Sequence, residues 1–457
     1  MGGLEKKYNS FSVIGAARSG VALSKLLKSK GYKVLLSDVS PEEKIKPEFV
    51  KEIKSIGVEY EFGRHSEKVY ENDLIVVSPG VPQNSEVITR ALAKGKEVVG
   101  ELEAASWFCK GKIISITGTN GKTTTTTITG KIFEDAGFKT YMCGNIGRAF
   151  SDVAGEIPED GVAVVETSSF QLDNIKKFKP YISVLLNITP DHLDRYDKSY
   201  EDYINSKFRV TGNQDEKDYF VFNYDDEVIR RNIEKKTKAR MAAFSIKQDI
   251  SGKYEMSASL KNDFIVYYCA NTRDEIIDTK KLFIKGMHNI YNSMASMLSA
   301  KIFGIKNETI AGSLYKFEGV EHRLEFVREL NGVKFYNDSK ATNVNSVWYA
   351  LQGFNEPIVL ILGGQDKGNV YSEIENEVAR YVKHIIAIGE SKMKVFDFFK
   401  SIVPVTLAND MTDAVKKAYS NADKNNIVLL SPACASFDMF ENYEHRGREF
   451  KRIVNEL

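Results

Sequence analysis

Short apolar runs alternate with helical periodicities along most of the chain, a pattern that predicts α/β architecture with parallel sheets. Residues 11–14 read as a first strand. A glycine-rich turn from Gly15 to Gly20 follows, then a helix over 21–30 and a second strand over 33–37 that closes at Asp38. Residues 73–77 and 97–99 read as further strands of the same series. A second series opens at 112–117 and continues through 162–166 and 182–187, and a third includes 357–362, 385–389 and 426–431. The stretch 218–271 differs: it is rich in β-branched and aromatic residues and carries polar turns such as Lys261-Asn262-Asp263. It reads as strands or hairpins attached to the second domain. Breaks near 100 and 318 divide the 457 residues into three expected domains, 1–100, 101–318 and 319–457.

Lys plus Arg number 63 against 62 Asp plus Glu. That balance argues against a chain whose main partner is nucleic acid or an anionic membrane, since either calls for a basic excess. Hydrophobic residues make up 42%, enough for real cores, so wholesale disorder is excluded. Cys109, Cys143, Cys269 and Cys434 are scattered with no CxxC pair, which argues against a disulfide framework or a structural zinc. The opening MGGLEKKYNS has no apolar segment and no run of 18 apolar residues follows. The expectation is a soluble cytoplasmic protein with no membrane insertion.

The strongest chemical signal is a predicted buried strand that feeds Gly118, Thr119, Asn120 and Gly121, after which Lys122 and Thr123 open a helix. The glycines let backbone N–H groups turn inward around a phosphate. The helix N-terminus adds partial positive charge, Lys122 adds a full one, and the Thr123 hydroxyl can ligate Mg²⁺. The spacing departs from the usual phosphate loop, because Ile116 stands where the first glycine is expected and Gly118 takes that role. Thr123 to Thr127 form a run of poor helix formers, which hydroxyls meeting phosphate or magnesium would explain. We read a nucleoside triphosphate site here. Glu166, ending the apolar strand 162–166, stands where a metal carboxylate belongs. His192, just beyond the strand 182–187, is a further polar group placed beside it.

The turn Gly15–Gly20 followed by Asp38 imitates a dinucleotide fingerprint, but Ala17 replaces the glycine that would let a pyrophosphate approach closely. NAD is disfavoured; a more loosely held nucleotide diphosphate and a purely structural turn both stay open. In the last third, His322-Arg323 and the segments 337–343, 363–368 and 431–437 flank predicted strands, where loops carry function. Cys434, among small residues, reads as a packed thiol and not a nucleophile.

The set GTNGKTT (118–124), ETSSFQL (166–172), NITPDHLDRY (187–196), HRLEFV (322–327), NDSKATN (337–343) and SPACASFD (431–438) resembles the Mur ligase family over essentially the whole chain. NDSKATN and SPACAS are its specific elements. GTNGKT is shared with sister ligases and with folylpolyglutamate synthase. The resemblance implies a Rossmann-like N-terminal domain holding a UDP moiety and a central ATPase domain with a parallel sheet and added β-structure. A Rossmann-like C-terminal domain would close over both. The implied activity is ATP-dependent addition of D-glutamate to UDP-N-acetylmuramoyl-L-alanine through an acyl phosphate, with Mg²⁺, in peptidoglycan precursor synthesis, by a monomer.

On the same resemblance, Gly118, Thr119, Asn120, Gly121, Lys122, Thr123 and Thr124 surround the ATP phosphates. Thr123 and Glu166 hold a first magnesium, and His192 serves a second metal and the UDP-linked substrate. Lys207 matches a lysine that family members carbamylate, which would make it a metal ligand; unmodified, it reads as a surface helix charge. Lys122, Glu166, His192 and Lys207 are the implied catalytic set. Asn289, Arg323 and Asp338 match adenine-nucleotide contacts, Asp338 toward ribose hydroxyls. Arg18, Ser19, Asp38, Asn145 and Ser168 match contacts to the UDP-linked substrate. Lys340, Thr342, Lys367, Ser436 and Tyr443 resemble a D-glutamate pocket, where cations suit two carboxylates; Tyr443 replaces a phenylalanine.

Two further readings compete. A nucleotide switch would hydrolyse ATP in response to a partner and make no amide. Folylpolyglutamate synthase, or another Mur-type ligase, would keep the chemistry and change the acceptor.

Overall fold

The first sheet forms because runs such as Leu74–Val77 are apolar at every position and buried at every position, as a strand covered on both faces requires. The computed structural model describes residues 7–233, 236–270, 272–284, 286–366 and 368–457. Strands β1 (Ser10–Ile14), β2 (Lys33–Asp38), β3 (Glu59–Phe62), β4 (Leu74–Val77) and β5 (Glu97–Gly100) lie in the order β3-β2-β1-β4-β5, all parallel.

The second sheet holds β6 (Lys112–Thr117), β7 (Lys139–Gly144), β8 (Gly161–Glu166), β9 (Ile182–Leu185), β10 (Tyr219–Asn223), β11 (Arg240–Ser245), β12 (Met256–Lys261), β13 (Phe264–Cys269) and β14 (Thr272–Asp278). Their order is β14-β13-β12-β11-β10-β9-β6-β8-β7, with β6 between β8 and β9. The segment expected to form strands or hairpins divides in two. β10 and β11 continue the parallel sheet with the helix Glu227–Asn232 between them, and antiparallel pairing begins only at β12–β13. Asn262 and Asp263 join that hairpin at φ 47° and 66°, the left-handed pair that a two-residue turn requires and that Asn and Asp tolerate.

Both sheets belong to one unit, Met1–Lys280 with Tyr291–Tyr315, and one apolar cluster runs from Phe11 and Leu27 to Phe150, Val165 and Phe178. Glu103 ties the two parts together. Its Oε2 accepts the N–H groups of Lys176, Lys177 and Phe178 at 2.9, 2.9 and 2.7 Å, and its Oε1 accepts the Trp107 indole at 3.0 Å. Four donors let a buried carboxylate dispense with a counter-ion.

The other unit, Lys281–Ile290 with Lys316–Leu457, is built on β15 (Glu325–Leu330), β16 (Val333–Asn337), β17 (Ile358–Gly363), β18 (Val382–Ile388), β19 (Val405–Leu407) and β20 (Ile427–Leu430). Their order is β15-β16-β20-β17-β18-β19, parallel apart from the β15–β16 pair. Val347, Leu360 and Phe399 belong to one of its apolar clusters and Phe335, Ile361 and Phe450 to another. The three sheets thus lie within residues 10–100, 112–278 and 325–430.

Candidate active site

β6 ends at Thr117 and the helix Lys122–Asp135 starts after four intervening residues, so 118–121 form a tight turn at the C-terminal edge of the sheet. Gly121 sits at φ 85°, and a Cβ there would lie 2.6 Å from the Asn292 Oδ1; conformation and space both demand glycine. Asn187, just after β9, clamps the turn: its Oδ1 accepts the Asn120 N–H at 2.8 Å and its Nδ2 donates to the Asn120 carbonyl at 3.1 Å. The Lys122 ammonium arches back onto the carbonyls of Gly118 and Thr119 at 2.9 and 2.7 Å. Thr123 and Thr124 are buried beside it.

The threonine run has a use that the sequence reading missed. Thr125 donates to the Asn292 Oδ1 at 3.1 Å, and Thr127 donates back to the Thr123 carbonyl at 2.8 Å. These two hydroxyls thus bond to a neighbouring helix and to the helix's own backbone.

Glu166 ends β8, the strand paired with β6, and is buried. Its Oε1 accepts the Asn145 amide at 2.9 Å, while its Oε2 is buried with no hydrogen-bond partner among the described residues. An orphaned carboxylate oxygen is costly unless a cation satisfies it, so the donor set fits magnesium. His192 occupies a left-handed backbone position (φ 52°) with its ring edge-on to Phe170 at 5.0 Å. Desolvation holds its imidazole below the usual value, against the pull of Asp191 and with help from Lys122 and Lys207; a neutral ring keeps a lone pair for a metal.

Lys207 corrects the surface-charge reading. It is only 2% exposed, because on the helix Tyr200–Phe208 it shares a face with Tyr203, four residues earlier. Its Nζ donates to the Gly118 carbonyl at 2.9 Å and lies 4.7 Å from the Tyr203 ring centroid. Burial, then repulsion from Lys122, pushes its pKa well down.

The residues matched to the UDP-linked substrate divide in two. Arg18 donates to the carbonyls of Gly147 and Gly144 at 2.6 and 3.3 Å, on the segment that carries Asn145. The Ser19 carbonyl accepts the Ser151 hydroxyl at 3.3 Å. Asp38, by contrast, spends both oxygens on backbone, accepting Ala16 and Ser40 N–H groups at 2.7 Å each. Ser168 caps the helix Ser169–Leu172 in a capping box with Gln171.

In the second unit, Asp338 follows β16. Its carboxylate accepts the Ser431 hydroxyl at 2.8 Å and the Leu324 N–H at 3.3 Å. Burial pushes its pKa up to about 7, against Ser431 and Arg323. Asn289 is buried in the same unit. The Lys340 ammonium lies 5.3 Å from the Tyr443 ring centroid, and the Thr342 N–H donates to the Lys340 carbonyl. Ser436 is buried, its carbonyl accepting the Phe440 N–H at 2.8 Å. Lys367 lies outside the described residues.

Arg446 went unnoticed in the sequence. It is buried and donates to the Ser339 hydroxyl and carbonyl at 2.9 and 2.8 Å and to the Cys434 carbonyl at 3.1 Å, tying the segments 337–343 and 431–438 together. Its spacing from Phe450 and Ile453 placed it on the apolar face of the helix Tyr443–Glu456, which was the available signal. Cys434 is buried as expected, its thiol held up chiefly by desolvation.

Comparison with known proteins matches residues 9–100 to the Mur ligase MurD-like N-terminal domain, 116–300 to the Mur ligase middle domain and 322–434 to the Mur ligase glutamate ligase domain. The chain is 43% identical to a UDP-N-acetylmuramoylalanine–D-glutamate ligase of Chloroherpeton thalassium, covering 99% of each. It is 44% identical to the enzyme of that name from a Thermoanaerobacter species, over 99% of this chain and 100% of the relative. Among solved structures, a MurF ligase from Thermotoga maritima in complex with ADP shares the fold at 15% identity and TM-score 0.62, over 95% of this chain and 99% of that one.

Proposed function

The chain belongs to the Mur ligase family of ATP-dependent, amide-forming ligases, and we propose that within it the chain joins D-glutamate to UDP-N-acetylmuramoyl-L-alanine. The observation that carries this reading is that Lys122 and the buried Lys207 both donate to the Gly118 carbonyl of the glycine turn, while Glu166 ends the strand paired with β6.

The chemistry explains the need for such a site. A carboxylate brought within 4 Å of a single phosphate charge meets about 4 kcal/mol of repulsion at an effective dielectric near 20, and a triphosphate carries several charges. The Lys122 ammonium and the N-terminus of the helix Lys122–Asp135 offset part of this. Thr123, Glu166, His192 and a carbamate on Lys207 would hold magnesium, which supplies further positive charge when bound. The γ-phosphoryl group passes to the acceptor carboxylate with loss of ADP. The D-glutamate amine then attacks the acyl carbon, and phosphate leaves. The acyl phosphate is open to hydrolysis, so the amine must be held in line, where orientation is equivalent to roughly 10⁵–10⁸ M.

The remaining roles follow the resemblance. Asn145 and Ser168 meet the muramoyl end of the acceptor and Arg18, Ser19 and Asp38 the UDP end, with Asp38 acting through the turn it braces. Asn289, Arg323 and Asp338 serve the adenine nucleotide, and Lys340, Thr342, Lys367, Ser436 and Tyr443 the amino acid. The domains 1–100, 101–318 and 319–457 take the UDP moiety, ATP and D-glutamate in turn. Four free cysteines suit a reducing cytoplasm, where we place the enzyme as a monomer; no helix among the described residues is long and apolar enough to cross a membrane.

The test is a panel of D-glutamate, L-glutamate and L-lysine offered with ATP and UDP-N-acetylmuramoyl-L-alanine, read by mass spectrometry. D-glutamate alone should yield the amide. A lysine adduct would reassign the amino acid, and no product with any of the three would count against this acceptor.

A further inference from the structure

The turn that carries His192 is held in an unfavourable backbone. The short helix Leu193–Tyr196 is bracketed by left-handed residues, His192 at φ 52° before it and Asp197 and Lys198 at φ 50° and 64° after it. Non-glycine residues persist there only when surrounding contacts over-determine them. Arg195 supplies three of those contacts, the first from its backbone and the others from its side chain. Its N–H donates to the His192 carbonyl at 3.0 Å. Its guanidinium carbon lies 4.3 Å from the Phe170 ring centroid, and the same ring meets the His192 imidazole edge-on at 5.0 Å. One terminal nitrogen donates to the Val81 carbonyl at 3.0 Å, in the loop that follows β4.

Behind this stack lies Asp173, whose carboxylate accepts Ser206 at 2.6 Å and Tyr196 at 3.2 Å. The Arg195 Nε is buried without a hydrogen-bond partner among the described residues and stands 3.9 Å from the nearer Asp173 oxygen. The stack on Phe170 and the bond to Val81 therefore set the guanidinium's position in preference to a close ion pair. Ser206 adjoins Lys207, and Phe170 lies in the segment that begins at Glu166. The Arg195 side chain thus meets the ring that packs on His192 and lies near Asp173, which accepts Ser206 beside Lys207.

We propose that Arg195 is a positioning residue, resting on the ligase reading, whose planar guanidinium holds His192 in place through Phe170 and links that placement to the acceptor-side loop through Val81. A lysine cannot do this, since a point charge neither stacks on the ring nor fixes a direction toward the carbonyl.

The test uses the full chain with Arg195→Met, Arg195→Lys and Phe170→Leu. Two readouts are taken: amide hydrogen exchange of 189–198 without substrates, and steady-state ligation with each substrate varied. Each variant should exchange that segment at least about tenfold faster and lower kcat by about tenfold or more, with KM for ATP within about threefold. Arg195→Lys should not rescue, and Arg195→Met combined with Phe170→Leu should lose no more than the worse single change. Unchanged exchange and kcat, additive losses, or full rescue by lysine would overturn the proposal. If Arg195→Met unfolds, Phe170→Leu and Arg195→Lys carry the same comparison. Faster exchange in the variants alongside an unsubstituted chain that makes no amide would count against the ligase reading and leave the mechanical role of Arg195 standing.

Discussion

The Lys207 side-chain nitrogen lies 2.9 Å from the carbonyl oxygen of Gly118, so a buried helix and the first glycine of the phosphate turn form one hydrogen-bonded unit. Burial and the neighbouring Lys122 favour the uncharged amine, and an uncharged amine is the form that adds to carbon dioxide. With ¹³C-labelled bicarbonate, a carbamate carbon resonance should appear and be absent from Lys207→Ala. That variant should lose about a hundredfold or more in kcat and recover part of it with short carboxylic acids. Full activity in Lys207→Ala would remove the residue from the mechanism.

Lys122 is anchored to loop carbonyls and belongs to no core, so Lys122→Ala should separate chemistry from stability. We expect kcat to fall about 10²–10³-fold while the melting temperature moves by no more than about 2 °C. Near-normal turnover would mean that another cation faces the phosphates.

Gly121 and Gly137 share a φ of 85°, but of the two Gly121 lacks room for a side chain, whereas nothing among the described residues lies within 4 Å of a Cβ at Gly137. Both alanine variants should lose about 1 kcal/mol or more from the left-handed backbone. Gly121→Ala should in addition lose most ATP affinity by calorimetry, because the 2.6 Å approach to Asn292 displaces the turn. Equal affinity in the two variants would contradict the assignment of this turn.

Asp338 gives the C-terminal unit a pH dependence. Its folded pKa of about 7 lies above the unfolded value near 4, so between those limits the folded chain holds a proton that the unfolded chain has released. The stabilisation is full below about pH 4 and is lost as pH rises through about 7, up to about 4 kcal/mol in all. Asp338→Asn should flatten denaturation midpoints between pH 4 and 8, raise stability at pH 8 and weaken ATP use. An unchanged slope would show that Asp338 is not the titrating group.

Much of this was legible in the sequence because parallel strands buried on both faces write themselves as apolar runs, and the phosphate turn and Glu166 sit where such runs stop. Lys207 was not, since a lysine among Ser206, Phe208 and Arg209 gives no sign that its helix face turns inward. The bonds of Thr125 and Thr127 within the protein were not legible, because packing hydroxyls and ligand-binding hydroxyls look alike along the chain. Asp38 ends β2 as expected, yet its bonds to Ala16 and Ser40 depend on a turn geometry that spacing does not encode. The contacts of Arg195 and Arg446 join segments far apart in sequence, which no local pattern records.

The central claim is that the acceptor's own carboxylate takes the γ-phosphoryl group at the 118–124 turn. Acceptor labelled with ¹⁸O in that carboxylate, incubated with ATP and D-glutamate, tests it by the mass of the released phosphate. One labelled oxygen per phosphate, lost together with turnover in Lys122→Ala, is the predicted result; phosphate free of label while the amide still forms would contradict it.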